Sequence, residues 1–315
     1  MLRSSALRTT IAATGTDMPS ADQTARLDEI FRQTREQQRS GSEPTPEALA
    51  EEVAALEQFV AENPASPYTP SLRADLAVHY RSEGRFSRAL AHWQAAYLAT
   101  AAFQDGAGKR VCDEVLAHWT RLLAGLGRKE ELAAIFAQQR GRVLDRGPLA
   151  QMWLRTREAY VTMRDHPEVS YKCGVAALNN VARVLRGTNV PSVAAQPSPA
   201  RGFTLAELDA FARGERLGLV AVAREEGEAL VVPSLVHWQV GHYAAIVREL
   251  APGLYEVADP TFGTKLVMEA AAINDQASGF FLVPANTLPP GWRPATAPEA
   301  AQVVGRGYTY TFPDN

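Results

Sequence analysis

The sequence predicts an α+β protein built in two parts: an all-helical region, then a domain of helices followed by an antiparallel sheet. Two observations carry this. Residues ~20–165 place apolar side chains at helical spacing with almost no alternation of period two. From ~166 the pattern becomes two helices followed by short strand-like runs separated by turn residues. The expected division is a disordered segment 1–19, a helical domain 20–165, a helix-and-sheet domain 166–285, and a Pro-rich extended tail 286–315.

Ala21–Arg39 is polar, with a thin stripe of Leu27, Ile30 and Phe31. Pro46–Glu62 carries Leu49, Val53, Leu56, Phe59 and Val60 on one helical face, and Asn63-Pro64 ends it. Leu76, Ala77, Tyr80, Ala89, Trp93 and Ala96 then fall at the spacing of a tetratricopeptide repeat, with Gly84 in the turn between two helices. That pattern resembles a helix pair in which small alanines allow close approach while Tyr80 and Trp93 fill the gap. Helices near 107–124, 129–140 and 147–164 fit the same stacking, which presents peptide-sized concave surfaces. His79, His92 and His118 read as packing or surface histidines.

In the second part, Leu178, Val181, Ala182 and Leu185 predict a helix over 173–186 with Gly187 as its stop. A Pro/Ser/Ala-rich loop follows at Pro191–Pro199. Thr204 and Glu207 form a capping box for the next helix. Strands are expected at Leu219–Ala223, Leu230–Val232, Ser234–Trp238, His242–Arg248, Leu254–Ala258, Thr264–Val267 and Gly279–Val283.

The net charge of −3 offers no basic field for nucleic acid. No apolar run approaches the ~20 residues of a membrane span. Thr9, Thr10 and Thr16 interrupt any apolar core behind Met1-Leu2-Arg3, so no signal peptide is expected. The two cysteines give neither a disulfide framework nor a metal pattern, and no cofactor is implied.

Cys173 is the candidate nucleophile. It opens a helix beside Gly174, where backbone N–H groups and the macrodipole favour a thiolate, whereas Cys112 reads as a core thiol. A thiolate needs a base and a group that orients the base. His242, after Gly241 at the start of an apolar strand, is the better base; His237 is the weaker candidate. A hairpin turning at Pro252-Gly253 would return Asp259 beside His242.

Taken in order, Cys173-Gly174-x-Ala176-Ala177-Leu178, Gly241-His242-Tyr243, Asp259-Pro260-x-x-Gly263 and Gly279-x-x-Leu282 resemble the bacteriocin-processing peptidases over residues ~166–285. These papain-like cysteine peptidases mature peptides after a double-glycine leader. The resemblance implies a papain-like fold with Cys173 as nucleophile, His242 as base and Asp259 as orienter. Pro70-Ser71-Leu72, the turn at Arg85–Leu90 and Ser234-x-Val236-His237-Trp238 are similar to the N-terminal part of large bacterial YD/Rhs-repeat proteins. That likeness implies a bacterial protein, cytoplasmic or exported within a larger secreted or surface product.

The chain departs from the peptidase pattern at two places. Pro167 stands where the family carries the glutamine of the oxyanion hole, and Lys172 stands where an acidic residue is usual. Lys172 beside the thiol favours thiolate. Gln239 and Ser170 are the candidate replacements for the missing oxyanion donor. Three activities remain open: a peptidase cutting a peptide or protein, its own precursor included; an impaired, peptide-binding module; and a transglutaminase-like acyl transferase. The tail carries Gly305-Arg306-Gly307 before Tyr308, within reach of a cleft in cis at ~3.3 Å per extended residue.

Overall fold

The computed structural model describes residues 12–14, 18–41, 44–144, 147–259, 261–262, 264–286 and 288–309. It combines helices with an antiparallel sheet. Among the described residues no strand precedes Phe203. The chain forms two compact units, Met1–Trp119 with Leu144–Trp153, and Thr120–Val143 with Leu154–Asn315.

The first unit contains α1 (Ala21–Ile30), α2 (Arg32–Ser40), α3 (Pro46–Glu62), α4 (Thr69–Ser82), α5 (Phe86–Thr100) and the start of α6 (Gly106–Gly125). Gly84, at a φ of 76° that suits glycine, turns α4 into α5. Leu76, Ala77, Tyr80, Ala89, Trp93 and Ala96 are all buried in this helix pair. Glu57 of α3 ties it together, accepting the Tyr80 hydroxyl at 2.6 Å and His92 Nε2 at 2.9 Å. His79 and His92 are buried, and His118 stacks on Trp93. Residues 1–11 and 15–17 of the expected disordered segment lie outside the described residues. Thr14 is buried and donates its N–H to the Pro67 carbonyl, so that expectation does not hold at 12–14.

The second unit contains the end of α6, α7 (Lys129–Gln138), most of α8 (Pro148–Asp165), α9 (Pro167–Ser170), α10 (Cys173–Arg186), α11 (Pro191–Ala194), β1 (Phe203–Thr204) and α12 (Leu205–Gly214). There follow β2 (Leu219–Arg224), β3 (Ser234–Trp238), β4 (His242–Ala251), β5 (Leu254–Asp259), β6 (Thr264–Glu269), α13 (Ala270–Gln276), β7 (Ala277–Pro284), β8 (Trp292–Pro294), α14 (Ala297–Gln302) and β9 (Val304–Gly305). The sheet order is β6-β5-β4-β3-β7-β2-β8, antiparallel throughout, and β1 pairs separately with β9.

α10 buries Val175, Leu178, Val181 and Ala182 in a core shared with Leu208 of α12 and Leu235, Tyr243 and Ala245 of the sheet. Each fully buried Leu or Val contributes about 1.5–3 kcal/mol. Gly174 keeps this contact close: a Cβ there would sit 3.0 Å from Leu208 and 3.2 Å from Tyr243, so those side chains would have to shift by a few tenths of an ångström. Gly187 caps the helix in the left-handed conformation, and Thr204 and Glu207 form the expected capping box on α12.

Two expectations are corrected. Leu230–Val232 is not a strand: it lies in the connection leading to β3. Of the expected tail 286–315, residues 288–309 are not a free extended segment, because β8, α14 and β9 pack back onto the unit, and 287 and 310–315 lie outside the described residues. The reason is local. Thr296 and Glu299 make a second capping box, and Trp292 is buried beside Phe281 with its indole N–H on the Ala229 carbonyl.

Candidate active site

Three elements deliver the central residues. α10 begins at Cys173, β4 begins at His242, and β5 ends at Asp259. The β4–β5 hairpin pairs Ala245 with Ala258, which returns Asp259 to the His242 end of β4. His242 Nε2 and Asp259 Oδ2 are 2.6 Å apart, both side chains fully buried. Asp259 Oδ1 accepts the Thr261 N–H at 3.0 Å, which fixes the carboxylate plane. The Phe262 ring covers the imidazole at 5.5 Å. Pro260 and Gly263 lie outside the described residues.

With Nε2 committed to Asp259, Nδ1 is left without a well-aligned hydrogen-bond partner, and the neighbour that acts on it is the Cys173 sulfur. Burial alone would lower the His242 pKa. The Asp259 carboxylate and the Cys173 sulfur outweigh it and push the imidazole up to about 10.

His237 lies elsewhere. Its Nε2 faces the Val304 carbonyl at 3.0 Å, so it donates there and leaves Nδ1 to accept the Ser278 hydroxyl at 2.8 Å. Burial lowers this histidine to about 4. It is a neutral structural residue that anchors β9.

Neither candidate oxyanion donor is free. The Ser170 hydroxyl donates to the His166 carbonyl at 2.7 Å. The Gln239 amide donates to the Ala277 carbonyl at 3.2 Å and the Asp275 carbonyl at 3.4 Å. Lys172 donates to the Gln196 carbonyl, and burial lowers its pKa. The Pro167 carbonyl accepts the Ser198 hydroxyl at 2.5 Å.

The segment Val303–Thr309 runs past Cys173 and His242. The Val303 carbonyl accepts the Tyr243 hydroxyl at 2.9 Å and the Leu205 N–H at 2.9 Å. Val304 and Gly305 pair with Thr204 and Phe203. The Arg306 N–H donates to the Gly241 carbonyl at 2.9 Å. The Gly307 N–H donates to Cys173 Sγ at 3.1 Å, and its carbonyl accepts the Cys173 N–H at 3.4 Å. The Tyr308 N–H continues to the Gly125 carbonyl at 3.0 Å, and the Thr309 N–H to the Ser170 carbonyl at 3.3 Å. The Arg306 guanidinium lies over the Tyr171 ring, donates to the Gly127 carbonyl at 3.1 Å and pairs with Glu130 at 2.7 Å.

Glycines make this path possible. A Cβ on Gly127 would overlap the Arg306 carbonyl oxygen, and one on Gly202 would overlap the Gly305 carbonyl. A Cβ on Gly305 would overlap the Tyr243 ring. Sequence reasoning missed the wall formed by Gly125–Glu130, which it placed in the helical half. Gly125 and Gly127, with Leu126 between them where an apolar helix ends, are the signal the sequence carries.

Among the described residues no cluster of acidic, histidine or cysteine side chains is arranged to hold a metal, and no helix is long and apolar enough to cross a membrane. Compared with known proteins, the chain matches no family model, no curated protein and no solved structure.

Proposed function

We propose that the second unit is a papain-like cysteine peptidase, as its resemblance to the bacteriocin-processing peptidases implies, and that the first is a tetratricopeptide-like stack. The observation that carries the peptidase reading is the seating of a peptide carbonyl on the Cys173 N–H beside a histidine already oriented by a buried carboxylate. In this reading the Cys173 thiol proton rests on His242 Nδ1, and Asp259 stabilises the imidazolium. The sulfur attacks the carbonyl carbon while the Cys173 N–H faces the developing oxyanion. His242 then returns the proton to the leaving amine, and a water molecule hydrolyses the thioester.

One specific observation favours a second reading, the peptide-binding module. Ser170 and Gln239 are committed elsewhere, which leaves the Cys173 N–H as the donor identified at the carbonyl. Loss of one oxyanion donor costs about 10²–10³ in rate.

The test uses the Gly307→Ala chain, in which the added Cβ would overlap the His242 ring and push the segment away. It is treated with a peptidyl epoxide and with a quenched peptide library, with Cys173→Ala introduced as control. One equivalent of label on Cys173 together with Cys173-dependent hydrolysis supports the peptidase. Peptide binding without label or hydrolysis supports the module instead.

A further inference from the structure

We infer that the substrate of this site is the chain itself, and that the bond it cuts is Gly307–Tyr308. The inference rests on the peptidase reading and adds the substrate, the bond and the side chains that select it.

Four independent features converge on that bond. The carbonyl on the Cys173 N–H is the one belonging to Gly307, so its carbon is the acyl carbon offered to the sulfur. The segment is held in main-chain fashion on both sides of the bond: β1 and Gly241 on the acyl side, the Gly125 and Ser170 carbonyls on the amine side. The position at the sulfur accepts only glycine, since a Cβ on Gly307 would overlap the His242 ring and stand 2.9 Å from Cys173 Cβ. The residue before it has its own recess, where Tyr171, the Gly127 carbonyl and Glu130 receive the Arg306 guanidinium. Pairing a planar cation with an aromatic face, a carbonyl and a carboxylate is side-chain recognition of arginine.

The step balances with water as the only co-reactant. The Cys173 sulfur bonds to the Gly307 carbonyl carbon, and the Gly307–Tyr308 C–N bond breaks. The proton taken by His242 from the thiol passes to the Tyr308 nitrogen. Water then adds to the thioester, giving up a proton through His242 to the departing sulfur. The products are a chain ending in a Gly307 carboxylate and a peptide beginning with a free Tyr308 amine.

The full chain and its Cys173→Ala variant are purified in parallel and their intact masses and released peptides followed with time. The expected result is a chain ending at Gly307, a peptide running Tyr308–Asn315, and an uncut Cys173→Ala chain. Uncut Cys173→Ala chain mixed with active chain should stay uncut, and the rate should not depend on protein concentration. Charge reversal at Arg306→Glu should slow the cut by 10-fold or more, with partial recovery when Glu130→Arg is added. A cut at Arg306–Gly307, or equal cutting of Cys173→Ala, overturns the proposal. So does an uncut wild-type chain; if its Gly307→Ala form hydrolyses peptides supplied in trans, the peptidase reading stands without this substrate. If that form is also inert toward the peptidyl epoxide, both fall.

Discussion

Gly307 fills the angle between His242 and Cys173 so completely that a single methyl group on its Cα would collide with the imidazole. Cys173 is fully buried, as is Cys112. A difference in alkylation between a nucleophilic Cys173 and a core Cys112 therefore depends on moving Gly307. In the Gly307→Ala chain, iodoacetamide should label Cys173 at least ~10-fold faster than in a chain retaining Gly307, with Cys112 unlabelled in both. Peptide mapping of labelled protein reads this directly. Equal protection of Cys173 in both chains would mean the segment does not cover it.

Removing His242 should cost stability as well as chemistry. Asp259 would keep a fully buried carboxylate with no cation opposite it. Breaking a buried pair in this way costs about 3–5 kcal/mol. Urea unfolding of His242→Ala should show that loss. The double variant His242→Ala, Asp259→Ala should recover part of it, since the unpaired charge is gone.

The two histidines of β3 and β4 should give stability opposite pH dependences. His242 is held at about 10 in the fold against ~6.5 in an unfolded chain, so its contribution is full below pH ~6.5 and is lost as pH rises toward 10. His237 is held at about 4, so its contribution is full above pH ~6.5 and is lost as pH falls toward 4, by at most about 3 kcal/mol. Urea midpoints of the uncut Cys173→Ala chain, where Asp259 still acts on His242, should peak near pH 6.5. Asp259→Asn should flatten the alkaline limb and His237→Gln the acid limb.

Gly127 should be as sensitive as Cys173 and His242 although it carries no reactive group. Its φ of +66° already disfavours a side chain, by about 1 kcal/mol, and its Cβ would overlap the Arg306 carbonyl. Gly127→Ala should leave far-UV circular dichroism unchanged and reduce the cut at Gly307 by 10-fold or more. Gly187→Ala, also at positive φ but with open space around it, is the control: it should lose a similar amount of stability and keep the cut.

The residues that were legible in the sequence are those whose placement is local. Cys173 follows from a helix start, His242 from a strand start, and Asp259 from a hairpin that turns at Pro252-Gly253. Ser170 and Gln239 are not legible in this way, because their partners decide their direction: His166 immediately precedes the short helix that ends at Ser170, and Ala277 belongs to a strand far along the chain. The prolines of the last segment suggest an extended exit, whereas the chain forms β8, α14 and β9 there. Thr296 and Glu299 nevertheless carry the same capping signature as Thr204 and Glu207. What no local pattern could give is the pairing of β9 with β1, a contact across about a hundred residues fixed by the whole unit.

That pairing has a kinetic consequence. The acyl side of Gly307 is bound by β1, Tyr243, His237 and Gly241, and all of these lie on the same molecule as Cys173. After a cut, the new carboxylate has no reason to leave, and any outside peptide must compete with a tethered end whose effective concentration is about millimolar. A chain that cuts as proposed above would act as its own stoichiometric inhibitor: it would fire once, and then read as inert in any assay that waits for turnover.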